Sequence, residues 1–282
     1  MTSEKEMTAE ELRHNGYLER LERLRPIDDI FMRGMFRDNL PLGEFVLRII
    51  LNKEDLKLSK FEVQKDFKHV TGARSVVFDA YGEDTQGTVH AMEVQKASDG
   101  ADPHRARYYS STVDIGKLKA KQDFSELPEK WVIFITEKDF FKDGAPYHHI
   151  RNMDVDTGKV FEDGAHILYV NGEYRGDDPL GKLMHDFTCA NPDDMYYNIV
   201  KERAKYLKKA EKGVSTMCEE MEKLRAEGKA EGRAEGRAEG RAEGIAEGIR
   251  KSVDALVESG MTFTDAVKLL KLTDAEIEAV SI

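Results

Sequence analysis

Apolar residues recur at helical spacing over residues 28–51: Ile30, Phe31, Met35 and Phe36, then Phe45, Val46, Ile49 and Ile50. That spacing predicts helix, and Pro41 and Gly43 are expected to divide it into two. Residues 1–25 are charged throughout and read as a polar helical lead-in. Residues 61–66 suit a short strand. The run SVVFDAYGEDTQGTVHAMEVQKA then reads as two strands joined by a polar, Gly-flanked turn, a hairpin at about 74–96. The loop SDGADP has turn chemistry, and Pro103 opens a helix expected from about 104 to 122. WVIFIT (131–136) and HILYV (166–170) are short apolar runs expected to be buried strands, the second closed by an Asn-Gly turn. From Asp193 onward the pattern is helical. Strands, a helix and a further strand make a mixed α/β domain.

The chain has 282 residues, of which 40% are hydrophobic and 34% charged. This suffices for one large core with an appendage. No apolar run approaches the roughly 20 residues of a membrane span, so no membrane association is expected. The first residues lack the apolar stretch of a signal peptide. Cys189 and Cys218 form no CxxC pattern, which suits a reducing cytoplasm. The net charge is −11, and its distribution matters. Residues 201–250 hold 13 basic and 11 acidic groups and residues 251–282 hold 3 and 6, leaving −10 in the first 200. An acidic body is not the footprint of a tight non-specific DNA binder. Nucleic-acid contact therefore requires a local basic patch or a bound metal.

Residues 225–248 repeat a tetrad: RAEG, KAEG, RAEG, RAEG, RAEG, IAEG. A period of 4 drifts around a helix of 3.6 residues per turn, so no fixed apolar face forms. Each Gly costs roughly 1 kcal/mol relative to Ala, and residues four apart are like-charged. The tetrads thus suit a solvated linker, a marginal helix or mobile arm, or coiled-coil-like packing of a second chain on the Gly and Ala positions. The last segment, 251–282, predicts short helices capped by Thr262, Thr264 or Thr273. Its acidic balance favours protein interaction over DNA reading.

Asp79, Glu93 and Gln95 are the candidate chemical centre. Side chains two apart on a strand share a face, so Glu93 and Gln95 point together, and the hairpin can bring Asp79 to them. Two convergent carboxylates can hold a divalent cation, and such a cation can activate water for in-line attack on a phosphodiester. The alternative is that both acids are solvent-face charges. The apolar neighbours Val76, Val77, Phe78, Met92 and Val94 favour a position near the core, where a charge is costly unless paired or metal-bound. On the helix after Pro103, Arg105, Tyr108 and Thr112 share a face. Arg105 suits a phosphate or an active-site acid, and Tyr108 or Tyr109 suits a base or the core. His148 and His149 lack partners for a zinc site. No Gly-rich phosphate loop or Ser–His–Asp pattern is present.

The segments IDDIFMRGMF, VVFDAYGED, MEVQKA, HRARYYSSTVDIGKL and ELPEKWVIFITEKDFF occur in that order before the glycine-punctuated tail. Together, over about residues 25–250, they resemble the PD-(D/E)XK nuclease family transposases, related to the recombination-promoting nucleases. The resemblance implies a restriction-endonuclease-like α/β fold, a mixed sheet flanked by helices with a helical C-terminal extension. It implies a Mg²⁺- or Mn²⁺-dependent DNA endonuclease, tied to recombination or a mobile element. The catalytic acids map to Asp79 and Glu93, with the Val94 carbonyl as a further metal ligand, and the last motif position maps to Gln95. That position is usually lysine in the wider superfamily; glutamine has no charge but can orient water. Lys96 points to the opposite face. An N-terminal Asp-x-x-Phe-Lys-x-x-Phe pattern fits Asp29, Met32, Arg33 and Phe36, with Met and Arg as departures. Asp29 would then serve a second metal or an outer-shell water, although Asp28 fits with a one-residue shift and either can cap a helix. Nucleic-acid contacts fall to Arg105, Tyr108 and Arg33.

The expected organisation is a lead-in (1–25), a nuclease-like domain (26–200), a helical arm (201–250) and a small helical segment (251–282). A competing reading keeps the fold and drops the chemistry: a silent binding or assembly module acting through its C-terminal helices, as a homodimer or with a protein partner. Cleavage of RNA or of structured DNA would use the same site.

Overall fold

The computed structural model describes residues 8–67, 74–96, 101–273 and 276–277. Two compact units divide the chain, Met1–Met221 and Glu222–Ile282. The first begins with helix α1 (Ala9–Arg23), capped by a reciprocal Thr8–Glu11 box. Helices α2 (Asp29–Phe36) and α3 (Leu40–Leu51) follow, then strands β1 (Leu58–Phe67), β2 (Val76–Asp84) and β3 (Val89–Gln95). Next come α4 (Pro103–Lys117), β4 (Lys130–Thr136), β5 (Tyr147–Ile150), β6 (Ala165–Asn171), α5 (Pro179–Thr188) and α6 (Asn198–Lys209).

The six strands form one sheet in the order β1-β2-β3-β4-β6-β5. β3, β4 and β6 run parallel at its centre, and their near-continuous apolar runs fit burial on both faces. β1 and β2 add antiparallel on one side and β5 antiparallel on the other. Between β2 and β3 the Asp84 carboxylate accepts from the Gln86 and Thr88 amides, both at 2.9 Å, and Gly87 takes φ +89°. Helix α4 covers one face, where Ala106, Tyr109 and Val113 pack with Phe78, Val132 and Phe134. On the other face α3 and the start of α5 border Trp131 and Leu168 through Ile49, Ile50 and Leu180. The result is helix–sheet–helix layering, a mixed α/β sheet flanked by helices as expected.

Several boundaries differ from the sequence reading. The break after α2 falls at residues 37–39, where Asn39 accepts from the Leu42 amide and Pro41 sits in the first turn of α3. Gly43 lies inside α3, packed against the Phe61 ring. β1 is longer than 61–66. α4 stops at Lys117 rather than near 122, because the Gln122 side chain takes the Lys119 amide and Asp123 caps a 3-10 turn at Phe124–Glu126. β5 was not anticipated: it is an edge strand whose exposed and half-buried residues leave no alternation to read. α5 was not anticipated either, although Asp178 followed by Pro179 is a helix-start signal.

Helix α7 (Glu211–Glu258) contains every tetrad of the repeat. Ala, Glu and Arg are strong helix formers, and at three positions in four they outweigh the periodic Gly. The charged positions of the repeat are exposed, and a methyl added at any Gly from Gly228 to Gly248 would meet nothing within 4 Å. The tetrads thus lie in one continuous helix, the helical one of the alternatives left open by the sequence. In the second unit α8 (Phe263–Leu270) is capped by Thr262, which accepts from the Asp265 amide at 3.2 Å. Thr273 and Glu276 make a reciprocal box like that of Thr8 and Glu11. Among the described residues no helix is long and apolar enough to cross a membrane.

Candidate active site

Asp79 sits where the sheet's pairing is interrupted. The β1–β2 register passes from Val63↔Ala80 to Lys65↔Phe78, leaving Gln64 opposite Asp79 without a ladder pairing. Gln64 adopts a left-handed φ of +54°, a local distortion of the kind that re-aims side chains near functional sites. The Asp79 carboxylate fills the gap. Oδ2 accepts from the Val94 amide at 2.8 Å and Oδ1 from Gln64 Nε2 at 3.2 Å.

Glu93 lies on β3 and is 4% exposed. Oε1 accepts from Arg105 Nη2 at 2.7 Å, from Gln95 Nε2 at 2.8 Å and weakly from the Tyr109 hydroxyl at 3.4 Å. Arg105 Nη2 also reaches the Tyr109 oxygen at 2.7 Å, and its guanidinium lies over the Tyr109 ring, 4.9 Å from the centroid. Oε2 of Glu93 is buried with no hydrogen-bond partner. A buried carboxylate oxygen without a donor is costly.

Electrostatics couple the two acids. Burial raises the Asp79 carboxyl above the usual range; the Val94 amide opposes this and the Asp29 charge adds to it. Glu93 is also raised, first by burial and then by the Asp79 charge, against the pull of Arg105. Tyr109 follows upward through burial and the Glu93 charge. Two buried, raised carboxyls, one pushed further by the charge of the other, are a recurrent mark of a functional centre.

The two N-terminal acids part company. Asp29, at the start of α2, is exposed and held by Arg33 through two bonds, Nε–Oδ1 at 2.9 Å and Nη2–Oδ2 at 2.8 Å. α2 packs against β1 and β2, and both charges of this pair act on Asp79. Asp28 is buried elsewhere, accepting from the Arg25 amide at 2.7 Å and ion-paired with Arg25 and Lys96. Burial raises its carboxyl, but the bonds from Arg25 and Lys96 outweigh that and hold it below the usual range. Lys96 therefore points away from Glu93 as expected, with its ammonium committed to Asp28.

Of the sequence candidates, Gln95 and Arg105 meet at Glu93, and Asp79, bonded to the adjacent Val94 amide, acts on Glu93 through its charge. Tyr108 does not reach Glu93: it is 40% exposed and donates to the Arg74 carbonyl at 2.7 Å. Its neighbour Tyr109 takes the inner position, because Arg105 and Tyr109 are four apart and stack on one helix ridge. Gln64 was also missed, since nothing local announces the ladder break. His149 does meet a second histidine, His166 Nδ1 at 2.9 Å from its Nε2. Among the described residues no three His, Cys, Asp or Glu side chains cluster as metal ligands.

The donor set nevertheless fits a hard cation. Two carboxylates converge, one with a free buried oxygen. The N–H and C=O of a strand residue face the same neighbour, so the Val94 carbonyl is directed to the Asp79 side. Oxygen donors of this kind suit Mg²⁺ or Mn²⁺ rather than softer metals.

Residues 42–173 match the family model of the PD-(D/E)XK nuclease family transposases. The matched span contains Gln64, Asp79, Glu93, Gln95, Arg105 and Tyr109, while Asp29 and Arg33 precede it. No curated protein and no solved structure matches the chain.

Proposed function

We propose that this PD-(D/E)XK nuclease-family domain is a divalent-metal-dependent DNA endonuclease that hydrolyses phosphodiester bonds, in the service of recombination or a mobile element. The observation that supports this most is the orphaned, buried Oε2 of Glu93 beside Asp79. Asp79, Glu93 and the Val94 carbonyl hold the cation, Mg²⁺ or Mn²⁺. Bound there, it supplies Lewis acidity toward a phosphodiester oxygen and toward water. Gln95 fixes Glu93 through its amide nitrogen, and its amide oxygen is left to accept from the attacking water. Asp29, tied to Arg33 at the open side of the site, orders an outer-shell water or a second cation. Arg33, Arg105 and Tyr108 supply contacts to the nucleic acid. Both cysteines are free thiols, which suits a cytoplasmic protein.

One site cuts one strand, so nicking of supercoiled plasmid is the direct assay. The protein with Mg²⁺ or Mn²⁺ is expected to nick it, and Asp79→Ala and Glu93→Ala are expected to lose at least about 100-fold. Equal nicking by all three would end the assignment.

A further inference from the structure

Arg105 and Tyr109, the partners of Glu93, also border a cleft of about 400 Å³, together with Arg74, Ser75, His104 and Tyr108. Among the described residues no acidic side chain lines it, in a chain of net charge −11. Among the described residues the Arg74 side chain has no ion-pair partner, and His104 is held by Asp102 at the start of α4. Tyr108 offers a half-exposed ring, the kind of surface on which a base stacks. Arg105 belongs to both places. Its guanidinium holds buried Glu93, yet a third of its side chain is exposed at the cleft.

That double membership creates a conflict. With the guanidinium on Oε1 of Glu93, a cation on Oε2 faces a like charge across a single carboxylate. A phosphodiester in the cleft removes the conflict, because guanidinium pairs bidentately with phosphate and Arg105 need only swing outward. Resting on the metal-site reading above, we infer that Arg105 couples cation loading to the binding of a nucleic-acid strand. Free of substrate, it neutralises Glu93 and weakens cation binding. A strand phosphate in the cleft of Arg74, His104 and Tyr108 draws it away and opens the seat. By linkage each ligand strengthens the other by the same factor. The enzyme thus becomes fully metal-loaded only on its substrate.

The test is calorimetric titration with Ca²⁺, with and without a saturating single-stranded DNA oligonucleotide, at about pH 9 so that protons do not compete for the carboxylates. The oligonucleotide is expected to tighten Ca²⁺ binding to the parent protein by about fivefold or more. Arg105→Gln is expected to bind Ca²⁺ more tightly than the parent without oligonucleotide and to gain little on its addition. Arg74→Ala, which leaves the Glu93 ion pair in place, is expected to lose most of the gain. Unchanged Ca²⁺ affinity of the parent with oligonucleotide, or weaker binding by folded Arg105→Gln, would overturn the coupling and leave the metal site standing. Ca²⁺ binding that is absent, or indifferent to Glu93→Gln, would overturn the metal site itself and the coupling with it.

Discussion

At the scale of the residue, the site is defined by what burial does to two acids. Ionised Asp79 costs stability because its folded carboxyl is raised. The cost is absent below the ordinary carboxylate range and grows as pH climbs through the raised value. In metal-free buffer Asp79→Asn is therefore expected to melt a few degrees above the parent at neutral pH and to lose that advantage in acid. Identical melting curves at every pH would contradict this. Divalent cation should raise the parent's midpoint and leave that of Asp79→Asn unmoved. Lys96 gives a contrasting case. Its ammonium is half-exposed and serves Asp28, so Lys96→Ala should cost no more than about 1 kcal/mol and leave nicking within a few-fold of the parent. A collapse of nicking would restore lysine to the mechanism. The shared strand face of Glu93 and Gln95 and the burial of Asp79 and Glu93 were legible because period two and apolar neighbours are local facts. Gln64 and Tyr109 were not, because a ladder break and the choice between adjacent tyrosines depend on how β1 and α4 dock.

At the scale of the element, glycine has two opposite meanings in this chain. Gly43 looked like a helix divider, but it lets α3 approach the ring of Phe61, whose atoms would stand 2.6–2.7 Å from an added Cβ. Phe61 in turn packs edge-on to Phe36, with centroids 5.6 Å apart. Gly43→Ala must push this ring aside, at about 1–3 kcal/mol, which exceeds the gain in helix propensity of roughly 1 kcal/mol. A chemical denaturation midpoint at or above the parent's would refute this. The tetrad glycines are the reverse. Replacing Gly232, Gly236 and Gly240 with Ala meets no neighbour and should deepen the helical circular-dichroism signal and slow amide exchange through the repeat, without altering nicking. The repeat's low-complexity character was plain from its letters. Its helical state was harder to foresee, because the summed propensity of Ala, Glu and Arg had to be weighed against Gly and like-charge spacing.

At the scale of the whole molecule, the proposed DNA binding would rest on a small basic cleft in an acidic chain. With Arg74 and Arg105 as the main cationic contacts, affinity for a single strand should fall with salt at a log–log slope of only about −1 to −2. A slope several times steeper would mean that an unrecognised basic surface takes part. The fold class was readable because the central strands are short apolar runs separated by helical pattern, whereas the edge strand β5 has no such signature. The order of the chain also has a kinetic consequence. β1, β2 and β3 form a meander of neighbouring segments, so Asp79 and Glu93 meet through short loops, and such local contacts form early. Arg105 arrives only when α4 docks, and the parallel strands β4 and β6 require longer crossovers. During synthesis Glu93 would therefore meet the charge of Asp79 on a nascent hairpin before Arg105 tempers it. Pulse-labelled refolding should find amides of β2 and β3 protected before those of β6, and earlier still in acid, where the nascent repulsion is silenced.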